Sequence, residues 1–282
     1  MKVRRKKDVR EPSHKKHKSK KKLKQVLFWI KSILITGLLL TTMVYTALSP
    51  FFNINRIVVK GAAHYDNHTL IVTSGLNEGE NGFRKIFNYP GKFFFLRIGS
   101  AERAIMENCP YAKSVKVRFV IPSTVSIEVK EREAAAILNL TGTSLLIDRE
   151  GYLLEINPDI KERVLPVIKG IKIDAYKPGK KINIREDALL SAFKVFDTIG
   201  ELDNESTDKL LPSVDYVDVG DMYKISLSLQ SRVLVNLGEL EDLHYKINAV
   251  QTIFTKNIKK NERGKLDFSL DEDPVFTPEN GG

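Results

Sequence analysis

After Ser32 the chain reads ILITGLLLTTMVYTALSPFF, ending at Phe52, with no ionisable side chain except Tyr45. A helix rises about 1.5 Å per residue, so roughly 21 positions reach about 31 Å, the thickness of a bilayer's hydrocarbon core. Apolar character extends back through Val26, Leu27, Phe28, Trp29 and Ile30, and Lys31 is close enough to that end to extend its ammonium towards the headgroups. The pattern predicts one transmembrane helix from about Val26 to Phe51, within an anchor segment 26–52. A cleaved secretory signal fits less well. Its apolar core is usually about 7–15 residues long, and after Ala47-Leu48-Ser49 the scissile bond would be followed by Pro50.

Charge is distributed unevenly around this run. Residues 1–25 hold thirteen of the 45 lysines and arginines and only two of the 35 acidic residues, so the net charge of +10 is a property of the tail. The remainder is close to neutral. A basic cluster directly before an apolar span keeps that end in the cytoplasm and sends the C-terminal part outside. Attraction to an anionic lipid surface explains the tail better than nucleic-acid binding, because no aromatic residue interrupts the lysines to stack on bases. Nor can a 25-residue tail of this composition build a helix-turn-helix reader. The lipid bilayer is therefore the expected partner of this end, and nucleic acid is not.

Beyond the anchor, Ile54, Ile57, Val58 and Val59 predict a strand closing at Gly61. Asp66 or Asn67 can cap a short helix through Leu70, Ile71 and Val72, with Ser74-Gly75 ending it. Asn77 to Tyr89 reads as a loop, and Phe93 to Leu96 as an aromatic knot. Ser100 is a candidate cap for a second helix carrying Ala101, Ala104, Ile105 and Met106, stopped by Pro110. Val115, Val117 and Phe119, then Val125, Ile127 and Val129, alternate as the two arms of a hairpin. Strand, helix, helix, strand, strand over 53–132 predicts a three-stranded sheet with two helices on one face.

The order of these segments resembles a known family. An uncleaved anchor, Ile54-Asn55-Arg56-Ile57-Val58-Val59-Lys60-Gly61, Pro110-Tyr111-Ala112-Lys113-Ser114-Val115-Lys116-Val117-Arg118, and Ile121 through Glu131-Arg132 are similar to the FtsQ/DivIB family of bacterial cell-division proteins and its POTRA module. Leu146 to Tyr152 and Leu165 to Gly170 resemble that family's following β domain. Ala134 and Ala135 depart from its pattern, where many members place a proline or an aromatic residue. The resemblance implies a non-enzymatic divisome scaffold at the septum, involved in septal peptidoglycan synthesis. It also implies that the β domain holds bitopic partners of the FtsL and FtsB/DivIC type.

In the β domain, 133–270, Ala136 to Leu138 and Leu145 to Ile147 predict strands, with a tight turn at Asp148 to Gly151 leading into Tyr152 to Ile156. Pro158, Pro166 and Pro178 mark an irregular connection. Leu189, Phe193 and Phe196 give a helix over 184–199. Val214–Val219, Lys224–Leu229 and Val233–Leu237 alternate as a meander, Leu240 to Phe254 forms a last helix, and Lys265 to Leu270 returns as a terminal strand. The acidic, proline-bearing residues 271–282 are expected to be unfolded. The whole reads as α+β: an N-terminal transmembrane helix, a POTRA-like sheet, then a mostly antiparallel β domain with helices.

No nucleophile elbow, phosphate-binding loop, His-Glu-x-x-His or Cys-x-x-Cys motif occurs. His64 and His68 have i,i+4 spacing but straddle a turn and lack a third ligand. Asp148 and Glu150 share a turn, which predicts solvent exposure rather than acid–base work. Cys109, the single cysteine, reads as a buried thiol. No catalytic, cofactor-binding or metal residue is assigned, and a membrane-anchored exported wall hydrolase is the alternative. What the sequence offers is strand edges: if nothing pairs beyond the terminal strand, a partner can add there by β-augmentation, with Leu266, Phe268 and Leu270 supplying side-chain pockets.

Overall fold

The computed structural model describes residues 15–87, 90–158, 165–268 and 274–279, with side chains from Leu23 onward except at 90, 92 and 93. Helix α1 spans Lys15–Ala47, and its part from Leu23 to Ala47 is long and apolar enough to cross a membrane. It begins earlier than the apolar run alone predicts, inside the lysine-rich tail. It also stops sooner, at Ala47, because Pro50 lacks the N–H a continuing helix needs and instead opens a 3-10 turn, Pro50–Phe52.

A three-stranded sheet follows. Strand β1 (Arg56–Lys60) runs parallel to β3 (Thr124–Glu131), which pairs antiparallel with β2 (Ala112–Val120), giving the order β1-β3-β2. The predicted alternation sets its core: Val115, Val117, Phe119, Val125, Ile127 and Val129 are all buried. Helices α2 (Asn67–Ser74) and α4 (Gly99–Asn108) close the same core with Leu70, Ala101 and Ile105. Asp66 caps α2 by accepting from Thr69 N–H at 2.6 Å, and Gly75 ends it in the left-handed region. Ser100 does not cap α4, whose boundary residue is Ile98. The expected loop at 77–89 contains a third helix, α3 (Gly82–Phe87), seeded by Asn81 Oδ1 accepting from Arg84 N–H at 3.1 Å. A side chain at position 82 would collide with the Phe119 ring, so only glycine lets α3 start so close to the sheet.

The second sheet has nine strands: β4 (Ala136–Leu140), β5 (Thr143–Ile147), β6 (Leu153–Ile156), β7 (Val167–Lys169), β8 (Val214–Asp218), β9 (Ile225–Leu229), β10 (Val233–Gly238), β11 (Gly264–Asp267) and β12 (Val275–Pro278). Their order is β12-β11-β10-β9-β8-β7-β4-β5-β6. Most neighbours are antiparallel; β4–β7, β7–β8 and β10–β11 are parallel. A parallel joint needs a long crossover, and two of these are helical: α5 (Glu186–Glu205) between β7 and β8, and α6 (Leu243–Thr252) between β10 and β11. Both crossovers step the same way along the sheet from equivalently directed strands. Crossovers of one hand then lay both helices on one face. They meet there: Gln251 Nε2 of α6 donates to Asp203 Oδ1 of α5 at 3.0 Å.

The α+β class and the expected succession of a membrane-length helix, a small sheet with helices and a larger, mostly antiparallel sheet are borne out. Two details differ. Strand β7 lies inside the connection expected to be irregular. The tail expected to be unfolded forms β12, which pairs with β11 from Gly264↔Pro278 to Asp267↔Val275 because an apolar Phe276 packs back onto the large core.

Candidate interaction edge and the junction behind it

Two of the three residues proposed as partner pockets are not on the surface. Leu266 is fully buried and Phe268 nearly so, both within the core under α5 and α6, and Phe268 N–H donates to Asn236 O of β10 at 2.8 Å. Leu270 lies outside the described residues. The expected edge of the terminal strand is not open either, since β12 covers it. The sheet's last edge is therefore one strand further out.

Ladder parity shows what that edge offers. Glu279 N–H donates to Arg263 O at 2.8 Å and Thr277 O lies against Gly264, so positions 277 and 279 face β11. With a period of two, the backbone groups of Phe276 and Pro278 face outward. Proline has no N–H, so this stretch presents one outward donor, at Phe276, beside the exposed side chains Val275 and Thr277. Among the described residues no strand pairs with this side of β12. At the sheet's other end, β6 is partly covered: Leu153 N–H donates to Lys180 O, and Gly179 N–H donates to Leu153 O.

The two sheets are joined where Glu131-Arg132 leaves β3. Glu131 accepts backbone N–H bonds from Ala63, His64 and Tyr65 at 2.9, 2.7 and 3.3 Å, tying down the loop after β1. Arg132 turns the other way. Its Nη1 lies 2.6 Å from Asp148 Oδ2 and 3.3 Å from Glu150 Oε2, and its guanidinium stacks 3.4 Å above the Tyr152 ring. Asp148 is buried, which corrects the expectation of an exposed turn; Glu150 is half exposed and reaches Lys113 Nζ at 2.5 Å. The hydrogen bond from Lys113 holds the Glu150 carboxyl below its ordinary range. These carboxylates are engaged in holding the two sheets together, and with Lys113 and Arg132 they line a pocket at the junction.

Behind the ion pairs, Tyr111 packs on Ile137, Leu146 and Leu154, the residues of β4–β6 that point away from the helices. Its hydroxyl hydrogen-bonds Glu155, and the His64 ring stacks on it with centroids 3.6 Å apart. His64 is thus a packing residue, and among the described residues no group of three or more His, Cys, Asp or Glu side chains could hold a metal ion. Cys109 is buried, as expected, and burial pushes its thiol pKa up, away from a reactive thiolate.

A membrane-length helix leads into a parallel–antiparallel three-stranded sheet under two main helices, bolted to a larger β sheet, and the small-sheet unit has the architecture of a POTRA domain. Residues 52–132 match the family described as POTRA domain, FtsQ-type. The chain is similar to the cell division proteins DivIB and FtsQ: it is 25% identical over 228 residues to cell division protein DivIB of Clostridium acetobutylicum, covering 81% of this chain and 84% of that protein. It is 26% identical over 263 residues to DivIB of Clostridium botulinum, 93% of each chain. Over 207 residues it is 26% identical to cell division protein FtsQ of Corynebacterium glutamicum, 73% of this chain and 81% of the relative. The resemblance read from the sequence is borne out, and these names point to a part in cell division. None of them supports a wall hydrolase.

Proposed function

We propose that the chain is a non-enzymatic, single-pass scaffold of the bacterial divisome that links partner division proteins and helps control septal peptidoglycan synthesis. Its basic N-terminus stays in the cytoplasm, its sheets lie outside, and it gathers at the septum. Residues 53–132 and 133–270, the latter extended by β12, act as two modules. Bitopic proteins of the FtsL and FtsB/DivIC type are its partners, taken up as an added strand outside β12. The observation that carries this reading is the outer side of β12, along which no strand pairs among the described residues, at the end of a nine-stranded sheet whose opposite end is partly capped. A strand added there gains main-chain bonds and lies beside Val275 and Thr277. Because both proteins are confined to one membrane, effective concentration is high and modest affinity at the edge suffices.

The test is recovery of FtsL- and DivIC-type proteins with the full chain. Phe276→Pro removes the outward N–H without removing a bond to β11, and is expected to lower recovery. Pro278→Ala restores a donor and is expected to raise it. A Phe276→Pro protein with unchanged circular dichroism and undiminished recovery discards the edge. A fluorescent fusion spread evenly over the membrane of dividing cells discards the septal role.

A further inference from the structure

Exposed apolar side chains in the small-sheet unit are concentrated at one end. Among the described residues, seven large apolar ones between 51 and 132 are exposed: Phe51, Val72, Phe87, Phe94, Phe95, Val120 and Ile121. All but Val72 lie where α1 enters the unit. The topology dictates this. β1 is parallel to β3, and Arg56 is in register with Thr124, so the β2–β3 turn carrying Val120 and Ile121 sits beside the first residues after the anchor. Asn55 N–H donates to Ser123 O at 2.8 Å, which fixes that proximity.

The aromatic residues reach the same end by a separate route. Asn81 Nδ2 donates to Ala47 O and Ser49 O, at 3.2 and 3.0 Å, pinning the start of α3 to the last carbonyls of the membrane helix. Ring contacts continue the link, with Phe51 to Phe52 and Phe52 to Phe83 both 5.0 Å and Phe83 to Phe87 6.5 Å between centroids. The 3-10 segment Pro90–Phe95 then returns to the sheet beside the end of β2, where Phe119 N–H donates to Leu96 O at 2.8 Å. Phe94 is 92% exposed and Phe95 69%. Exposed guanidinium groups of Arg56, Arg84 and Arg118 border the rim.

We propose that this rim, formed by Phe51, Phe87, Phe94, Phe95, Val120 and Ile121, docks into the bilayer face from which the chain emerges after Ala47. The occupant is the lipid surface. The apolar part of α1, 25 residues, is about 37 Å long against a hydrocarbon core of about 30 Å, so its end reaches the interface. The five residues that follow Ala47, up to Phe52, span at most about 18 Å, which keeps the rim within reach of that face. Aromatic rings settle at headgroup level with their faces in the acyl boundary, and arginines above them meet lipid phosphates. Single-helix tethering alone leaves the unit free to swing; docking fixes its tilt, and through the Arg132–Asp148 junction the direction in which β12 faces.

This inference rests on α1 being a membrane anchor, and the experiment separates the two. The full chain, in which Trp29 is the single tryptophan, is prepared as Trp29→Phe and reconstituted at low protein density into phosphatidylethanolamine–phosphatidylglycerol vesicles. Single tryptophans are then placed by Leu39→Trp, Phe94→Trp, Phe95→Trp and Tyr245→Trp. Lipids brominated near the headgroup are expected to quench positions 94 and 95 more than lipids brominated at the chain end. Position 39 should show the reverse order, and position 245, on α6, neither. Quenching at 39 with none at 94 and 95 overturns the docking and leaves the anchor standing. No quenching at 39 overturns the anchor itself. Shielding of 94 and 95 that rises with protein density and is absent at low density points to a second copy, which also overturns the proposal.

Discussion

Glu131 and Arg132 are adjacent in sequence and hold different parts of the molecule, because successive side chains at the end of a strand point to opposite faces. One gathers three backbone N–H groups of its own sheet's loop; the other crosses to Asp148. Removing one member of a buried ion pair strands the other charge, so Arg132→Ala is expected to cost about 3 kcal/mol, read by denaturation of the purified full chain. Arg132→Lys should recover only part of this, since an ammonium keeps the charge but loses the flat stack on Tyr152. Asp66 titrates instead of packing. The Thr69 backbone N–H, then the Thr69 hydroxyl, hold its carboxyl below the ordinary range. A depressed carboxyl contributes stability above its unfolded pKa and loses it as pH falls through the folded value. Asp66→Ala should therefore narrow the stability difference from the parent protein as acid is added, measured as two thermal-melting series across pH.

Elements short enough to be marginal by themselves carry much of the architecture here. Strand β7 has three residues and joins two halves of the large sheet, with Ile168 opposite Val217 on one side and beside Leu138 on the other. It is followed at once by Gly170, whose φ is +80° and whose α-carbon lies against the backbone of Gly220. Any side chain at 170 meets that backbone as well as the left-handed penalty, so Gly170→Ala should cost at least about 2 kcal/mol. Hydrogen exchange across β7 and β8 should rise first. Helix α3 is likewise too short to persist alone. It exists because Gly82 abuts Phe119 and Asn81 ties it to the membrane helix.

For the molecule as a whole, the decisive contact is Tyr111. It belongs to the start of the small sheet yet packs within the outward face of β4–β6, where Ile137, Leu146 and Leu154 alternate with neighbours facing α5 and α6. Tyr111→Ala is expected to cost about 3 kcal/mol as a buried aromatic truncation. It should also raise exchange in β4–β6 together with residues 63–65, a coupled loss that two independently tethered units would not show.

Some of this was legible from the chain alone, for identifiable reasons. An uncharged, mostly apolar run of roughly 21 positions can only be a membrane-length helix or a buried one, and alternation such as Val115-x-Val117-x-Phe119 can only bury one face of a strand. Asp66 and Gly75 marked the ends of α2 because capping is local chemistry, and Leu189, Phe193 and Phe196 gave α5 by spacing. What the sequence could not supply was pairing between distant segments. Asp148 looks like a turn residue until Arg132 arrives beside it. Leu266 looks like part of an open edge until Val275–Pro278 pairs along Gly264–Asp267, and Phe94 and Phe95 look like loop residues until the Phe119–Leu96 bond brings their segment beside the end of β2. Periodicity and capping are settled within a few residues and can be read in order; burial, ion pairing and strand order depend on which remote surface closes over a residue, and only the folded chain decides that.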